Sequence, residues 1–459
     1  MVSVRTIDTR ARCARIAIAT VACALAVVLT ALPRVAQAVP SFATQTGLPC
    51  SQCHVVAFGP QLTTYGRQFK LNGYTFKKAD SGFNIPLAAT VQIGYENLSG
   101  AAPAPSPYSD KENLYLQDVS AYIAGGYGEH FGSFIKVTYD GVGKHTAWDL
   151  ADVRYAHTLE LGGHSLVAGV DVNNSPTVQD LWNSTPVWGF PYYQSTFAQF
   201  PDANPILSGV GNTVLGGSLY AMIDNLVYSE LGFYKGISDK WLGNLGVPHG
   251  DPNIVGAAPY FRLAAQKQAG QHYFELGFTG FWVEQQPFTP SSSLTNHYND
   301  YALDFSYQFN VGGEHAIDAH ASWIHEKQNL DASFALGASD AQSNNLNTLE
   351  ADASYVLNQT YVASLGLFDT DGTTNHLLYQ PGAVFGNASG SPHTSGYRVQ
   401  LDWIPFGKSG SWGSPWVNLR LGLQYTGYWR YNGGSSNYDG FGRSASDNDQ
   451  LFVMAWLAF

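Results

Sequence analysis

The sequence predicts an all-β fold, a transmembrane outer-membrane barrel of about sixteen antiparallel strands, and three observations carry the prediction. The 459 residues are 14% aromatic and only 13% charged, with 48 glycines, which suits a glycine- and tyrosine-rich antiparallel sheet better than a helical protein. From Leu87 onward, apolar and polar residues alternate in segments of roughly ten, separated in turn by tight turns and long loops. The last segment puts Leu451, Val453, Ala455, Leu457 and the terminal Phe459 on one face, as a lipid-facing strand requires. A soluble sandwich would hide its apolar faces against each other and needs no such alternation of turn and loop lengths.

Taken in order, the chain begins with an address. Arg5, Arg10, Arg12 and Arg15 are followed by an apolar run from Ile16 to Leu32 and by Ala36-Gln37-Ala38, a small-residue cleavage site. Residues 1–38 therefore read as a signal peptide, the alternative being an uncleaved anchor. Their removal takes away five of the 23 basic residues and one of the 35 acids, leaving a net charge of about −16. That balance argues against nucleic-acid partners and is compatible with cationic ones.

Cys13 and Cys23 fall inside the signal, so the mature chain keeps two thiols, both in Cys50-Ser51-Gln52-Cys53-His54. Two thiols three positions apart, with a histidine directly after the second, read as a c-type haem attachment site. Both vinyl groups can be captured while the imidazole of His54 becomes the axial iron ligand. A zinc ribbon would want a second cysteine pair and a redox CxxC a βαβ context, and the sequence offers neither. The expected cofactor is one covalently attached haem c, on a segment spanning 39–86. That segment is too small to enclose it alone. Thr63 or Thr64 is a candidate helix cap, and Arg67 and Lys70 share a helix face, placing them either on the haem propionates or in solvent.

Phe42-Ala43, Gln45-Thr46-Gly47, the CxxCH, Leu62-Thr63, Tyr65-Gly66-Arg67, Phe69-Lys70 and Gly73-Tyr74 closely resemble the N-terminus of the fused cytochrome-porins. That family joins a single-haem segment to an outer-membrane barrel. The resemblance implies electron transfer, with extracellular ferrous iron as donor in known members and periplasmic c-type cytochromes as acceptors.

The barrel, 87–459, follows. Candidate strands begin near Leu87, Glu112, Phe131, Ala147, His164, Thr213, Asn225, Ala257, Gly270, His297, Glu314, Asn344, Thr360, Thr394, Pro415 and Asn448. Gly- and Asn-rich turns at 128–130, 161–163, 224–225, 269–270, 311–313 and 358–359 belong at the periplasmic end, and an even strand count returns both ends of the barrel there. If apolar positions face outer-membrane lipid, parity turns Glu96, Asp118, Asp140, Asp152, Asp171, Glu230, Glu275, Asp304, Asp318, Glu350, Asp352 and Asp402 inward. Lys136, Arg154, Arg262, Arg398 and Arg420 join them. Sixteen strands leave room for an aqueous interior in which these charges need no partners. The aromatic loop 174–212 either folds into the pore or forms an extracellular tip.

Two functions compete: an electron conduit across the bacterial outer membrane, running inward or outward, and a diffusion porin with a haem plug or sensor. The sixth iron ligand is open. His54 is the sole histidine between Val39 and Glu129, and no methionine occurs there. Met454 and His320, which have lumen parity, Lys70, the Val39 amine and an empty position are the alternatives.

Overall fold

The computed structural model describes residues 41–78, 86–287, 293–311, 313–408, 410–414 and 416–459. The expected signal segment lies outside them, as do Val39, Pro415 and part of the 311–313 turn.

The described residues form sixteen antiparallel strands, from β1 (Leu87–Leu98) to β16 (Gln450–Ala458). Each pairs with its sequence neighbours, and β1 closes on β16 from Thr90↔Ala458 to Leu98↔Gln450. Every strand starts within three residues of its expected position. In β6 (Val214–Ile223) and β7 (Val227–Gly236), inward Tyr220, Glu230 and Tyr234 are buried while outward Leu215, Leu219, Leu231 and Phe233 are exposed. Between these strands Asp224 and Asn225 both take positive φ, 50° and 53°, the paired left-handed geometry of a two-residue hairpin.

The outward leucines continue around the wall, with Leu263, Leu276, Leu365 and Leu401 all exposed. In water so large an apolar belt would be a liability, whereas in a bilayer a closed barrel satisfies every backbone group and buries the belt in lipid. The chain is an outer-membrane β-barrel, with its short turns at the periplasmic end.

Three bulges interrupt the parity, one of them at Trp429 in the fifteenth strand. In β2 (Glu112–Gly126) the extra residue is Gln117, and in β4 (His145–Leu161), paired with β3 (Phe131–Asp140), it is Asp149, between Trp148 and Leu150. Asp149 thereby meets Lys136 at 2.6 Å, a lumen acid that strict alternation misses.

The interior corrects the expectation of an aqueous lumen with unpaired charges. Arg154 pairs with Asp152 (2.8 Å) and Asp171 (3.5 Å). Arg262 pairs with Asp304 (2.7 Å), Asp180 (3.1 Å) and Glu275 (3.2 Å), and Arg420 with Asp402 (2.7 Å), all essentially unexposed. The physical reason is that residues 41–78 and the loop 174–212 enter the barrel, exclude water and bring charges of their own, Lys70 and Asp180 among them. Buried charges then need a cation or hydrogen-bond donors, and Glu96 and Glu230 are held by donors alone. Glu350 keeps an exposed side chain.

Candidate functional site

The N-terminal segment folds as three short helices, α1 (Ser41–Thr46), α2 (Cys50–Cys53) and α3 (Thr64–Leu71). One turn of α2 sets both cysteines, free as thiols, at i and i+3 on one face. His54 caps it, its N–H donating to Cys50 O at 2.9 Å, and its extended φ of −117° swings the imidazole out of the helix. The chain then reverses through Ala57, at φ 57°, so that His54 bridges Leu62 and the Val55 N–H donates to Gln61 O at 2.9 Å.

This turn is bolted to the periplasmic end of the wall. Val55 and Val56 pack with Ala316, Val356, Val362 and Ile404, and Phe58 lies 4.5 Å from the Trp456 ring. Asn418 Nδ2 donates to Ala57 O and an Arg420 guanidinium N–H to Phe58 O, each at 2.9 Å. Thr63 joins α2 to α3: its N–H donates to Cys53 O, its hydroxyl to Gln52 O, and its oxygen accepts from the Gly66 N–H. A Cβ on Gly66 would stand 2.2 Å from Cys53 O, so the close approach of α3 to the cysteines needs glycine there.

Burial holds the His54 imidazole neutral, its pKa lowered to about 4, and Nδ1 is buried with no hydrogen-bond partner. Burial also raises the Cys50 thiol and, helped by the neighbouring Cys50, pushes Cys53 up to about 12. Protonated thiols beside a neutral imidazole suit thioether formation and iron ligation, whereas zinc would need thiolates. The residues present therefore fit a covalent haem held by Cys50 and Cys53 with His54 as axial ligand.

Arg67 and Lys70 are neither free for propionates nor in solvent. The Arg67 guanidinium donates to Leu62 O (2.7 Å), Gln308 Oε1 (2.9 Å) and Thr64 Oγ1 (3.0 Å), and lies 3.7 Å over the Tyr273 ring. Lys70 Nζ donates to Val178 O (2.8 Å), Asn183 Oδ1 (3.0 Å) and Asp180 O, and burial together with Arg154 lowers its pKa to about 7. With Nζ so engaged, Lys70 is also removed as an iron ligand. Both side chains anchor the segment because α3 lies inside the barrel. Other family-like residues do the same. Phe42 stacks on Tyr74 at 5.3 Å, Gln45 Nε2 donates to Tyr74 O (2.6 Å), and the Tyr74 hydroxyl donates to Asp152 (2.5 Å).

Of the two arrangements expected for loop 174–212, the inward one forms. Trp182 is buried against Tyr228, Tyr193 donates to Asp402 (2.6 Å), Ser195 to Glu96 (2.8 Å), and Asn183 to Pro60 O in the haem-motif turn (2.5 Å). Met454 packs in a cluster with Tyr115, Tyr193 and Phe452, and His320 Nδ1 stands 3.6 Å from Asp318 and 3.7 Å from Asp352. Sequence reasoning passed over Gln61, Gln308 and Asp180. The one signal for Asp180 was an acid within an otherwise aromatic, weakly charged loop.

No family model matches the sequence, and no curated protein matches it. Several solved structures are similar. An anion-selective porin from Comamonas acidovorans is 13% identical, with 81% of this chain and 98% of that one covered and a TM-score of 0.43. The outer membrane channel DcaP of Acinetobacter baumannii is 11% identical over 84% and 100%, with a TM-score of 0.45. OmpF of Salmonella typhi, solved with daunomycin, is 10% identical over 81% and 97%, with a TM-score of 0.42.

Proposed function

We propose that this chain is an outer-membrane electron conduit. Cys50, Cys53 and His54 would hold one haem c, which would supply an electron relay between an extracellular donor and periplasmic c-type cytochromes. Ferrous iron is the donor that the resemblance to the fused cytochrome-porins indicates, making the activity an Fe(II):cytochrome c oxidoreductase. The observation that carries the reading is where the CxxCH turn sits. It is wedged into the periplasmic mouth and tied to wall and loop by backbone, guanidinium and ammonium hydrogen bonds, so the lumen is occupied by the segment that bears the redox motif. The bound haem supplies a one-electron carrier. The chain's own residues fix it in depth, keep its histidine neutral and exclude water around it.

The second reading is a diffusion porin in which the same segment is a plug or sensor, and the porin-like barrel itself favours it. Stopped-flow mixing of the purified protein with ferrous iron, alongside solute flux into liposomes, separates the two. Reduction of the haem with little flux is the expected result. A redox-silent haem with rapid flux would overturn the conduit. Cys50→Ser with Cys53→Ser should abolish covalent haem staining yet leave barrel insertion intact, and staining at wild-type intensity would end the haem assignment.

A further inference from the structure

A recess lies on the outward face of the wall, toward the periplasmic end. It is formed on β12 (Ser343–Leu357), β13 (Tyr361–Gly372), β14 (Thr394–Trp403) and β15 (Asn418–Arg430). At its floor Ala363 stands in register between Tyr355 and Leu401, a methyl group between two long side chains, and the row continues through Leu423 to Val453. The cleft so formed has a volume of about 580 Å³. A second, of about 280 Å³, shares Tyr355, Ala363 and Leu401 with it and continues it past Leu365 and Val399. The outward side chains lining both are apolar or aromatic. Their polar neighbours in sequence point into the lumen, Asp402 to Arg420, Gln400 to Tyr193, and Ser354 to Ser364.

The periplasmic lip of the recess has a different chemistry. Tyr361 and Trp403 stand opposite each other across β13 and β14, both half-exposed. Lys408 follows in the next turn and is exposed, its neighbour Gly407 packed against Gln359 in the turn before β13. The Tyr361 hydroxyl, Trp403 Nε1 and Lys408 Nζ have no partner among the described residues, whereas the nearby Tyr355 hydroxyl is bonded to His315 Nδ1 at 2.7 Å. All three free groups can donate a hydrogen bond. Glu314, the acid of the turn before β11 (His315–Asn329), falls on the lumen side of the alternation, in which Ala316 is buried and His315 and Ile317 are exposed.

We propose that this recess binds one phospholipid of the periplasmic leaflet, its acyl chain lying along the cleft and its phosphate held by Lys408, Trp403 and Tyr361. An apolar groove that ends in uncommitted donors matches a hydrocarbon chain that ends in an anion, so each half of the molecule meets the half of the recess that complements it. Tyrosine and tryptophan rings belong at headgroup level in a bilayer, which puts the lip at the depth of the phosphate. The recess also backs onto the seat of the haem-motif turn. Val356, Val362 and Ile404, turned inward beside the outward residues of the cleft, pack with Val55 and Val56. A lipid in the cleft covers the outer side of the wall whose inner side holds that turn. Its binding does not depend on the conduit reading.

Native mass spectrometry of the full-length protein, released from mild detergent, tests the proposal. The expected result is one retained phospholipid per chain. Added dioleoylphosphatidylglycerol should exchange into the cleft, while dioleoylglycerol, which has the tails without the phosphate, should not. Ala363→Trp fills the cleft and should abolish retention, and Lys408→Glu should lower occupancy about tenfold by removing a charge-assisted bond. Each variant is checked for heat-modifiable barrel mobility, and Lys408→Glu, on an exposed turn, keeps the test open if Ala363→Trp does not fold. Absence of retained lipid on the wild type, undiminished retention in a folded variant, or equal retention of dioleoylglycerol would overturn the proposal. So would a lipid-free oligomer that Ala363→Trp breaks into single chains, which would give the cleft to a second copy of the protein.

Discussion

The two helices that flank the haem-motif turn are held in opposite ways. In α3, Gly66, Arg67, Phe69, Lys70 and Leu71 are buried, and its two cations each make three hydrogen bonds to loop, wall or neighbouring turn. In α2 no residue is fully buried and no side chain caps the N-terminus, and burial raises the pKa of both thiols. The difference teaches that the chain secures α3 through buried, long-range bonds and holds α2 chiefly through the turns on either side of it.

The strongest way to break the comparison is to cut the anchor. Lys70→Met strips the donor from Val178 O, Asp180 O and Asn183 and should weaken docking of the segment by about 3 kcal/mol, the cost of leaving buried acceptors unsatisfied. Single-channel recording should show raised conductance in Lys70→Met while Cys50→Ser stays closed. Equal conductance in the two would mean that α3 carries no special share of the docking.

A gentler test uses pH on α2 alone. In haem-free Cys50→Ser, Cys53→Ser protein, buried His54 titrates near 4 against 6.5 when released, so the released form binds the proton first. Docking should be unaffected above about pH 6.5 and weaken as pH falls toward 4, by no more than about 3 kcal/mol and less for the part of the ring that meets solvent. Protease accessibility of the segment measured across that range reads the effect, and a flat profile would place His54 in water.

The smallest effect concerns the route above the segment. Glu350→Gln should slow haem reduction by a cationic donor about twofold at low ionic strength and hardly at all at high, since screening removes steering. An equal slowing at both would assign Glu350 a structural part.

Most of the wall was legible in the sequence, because the two-residue period of a strand with one lipid face constrains every second side chain. Leu451, Val453 and the lumen acids such as Asp304 fell on their expected faces for that reason. The bulges at Gln117 and Asp149 were not legible, since one extra residue resets parity without leaving a mark in composition. The cradle of Cys50, Cys53 and His54 could be read because its chemistry is written in consecutive positions. The fate of Arg67 and Lys70 could not. Their partners, Gln308 and the carbonyls of 178 and 180, are brought to them by closure of the barrel, and helical spacing alone says only that the two cations share a face.

The bonds that seat the haem-motif turn also carry a consequence for the order of assembly. Arg67 meets Gln308 across 241 positions, Asn418 reaches Ala57 across 361, and Arg420 reaches Phe58 across 362. Contacts of such sequence separation have a large loop-closure entropy and form after the hairpins between them, whose strands are joined by a few residues. The segment translated ahead of every strand thus locks after the hairpins, alongside the β1–β16 closure, whose pairs are just as distant in sequence.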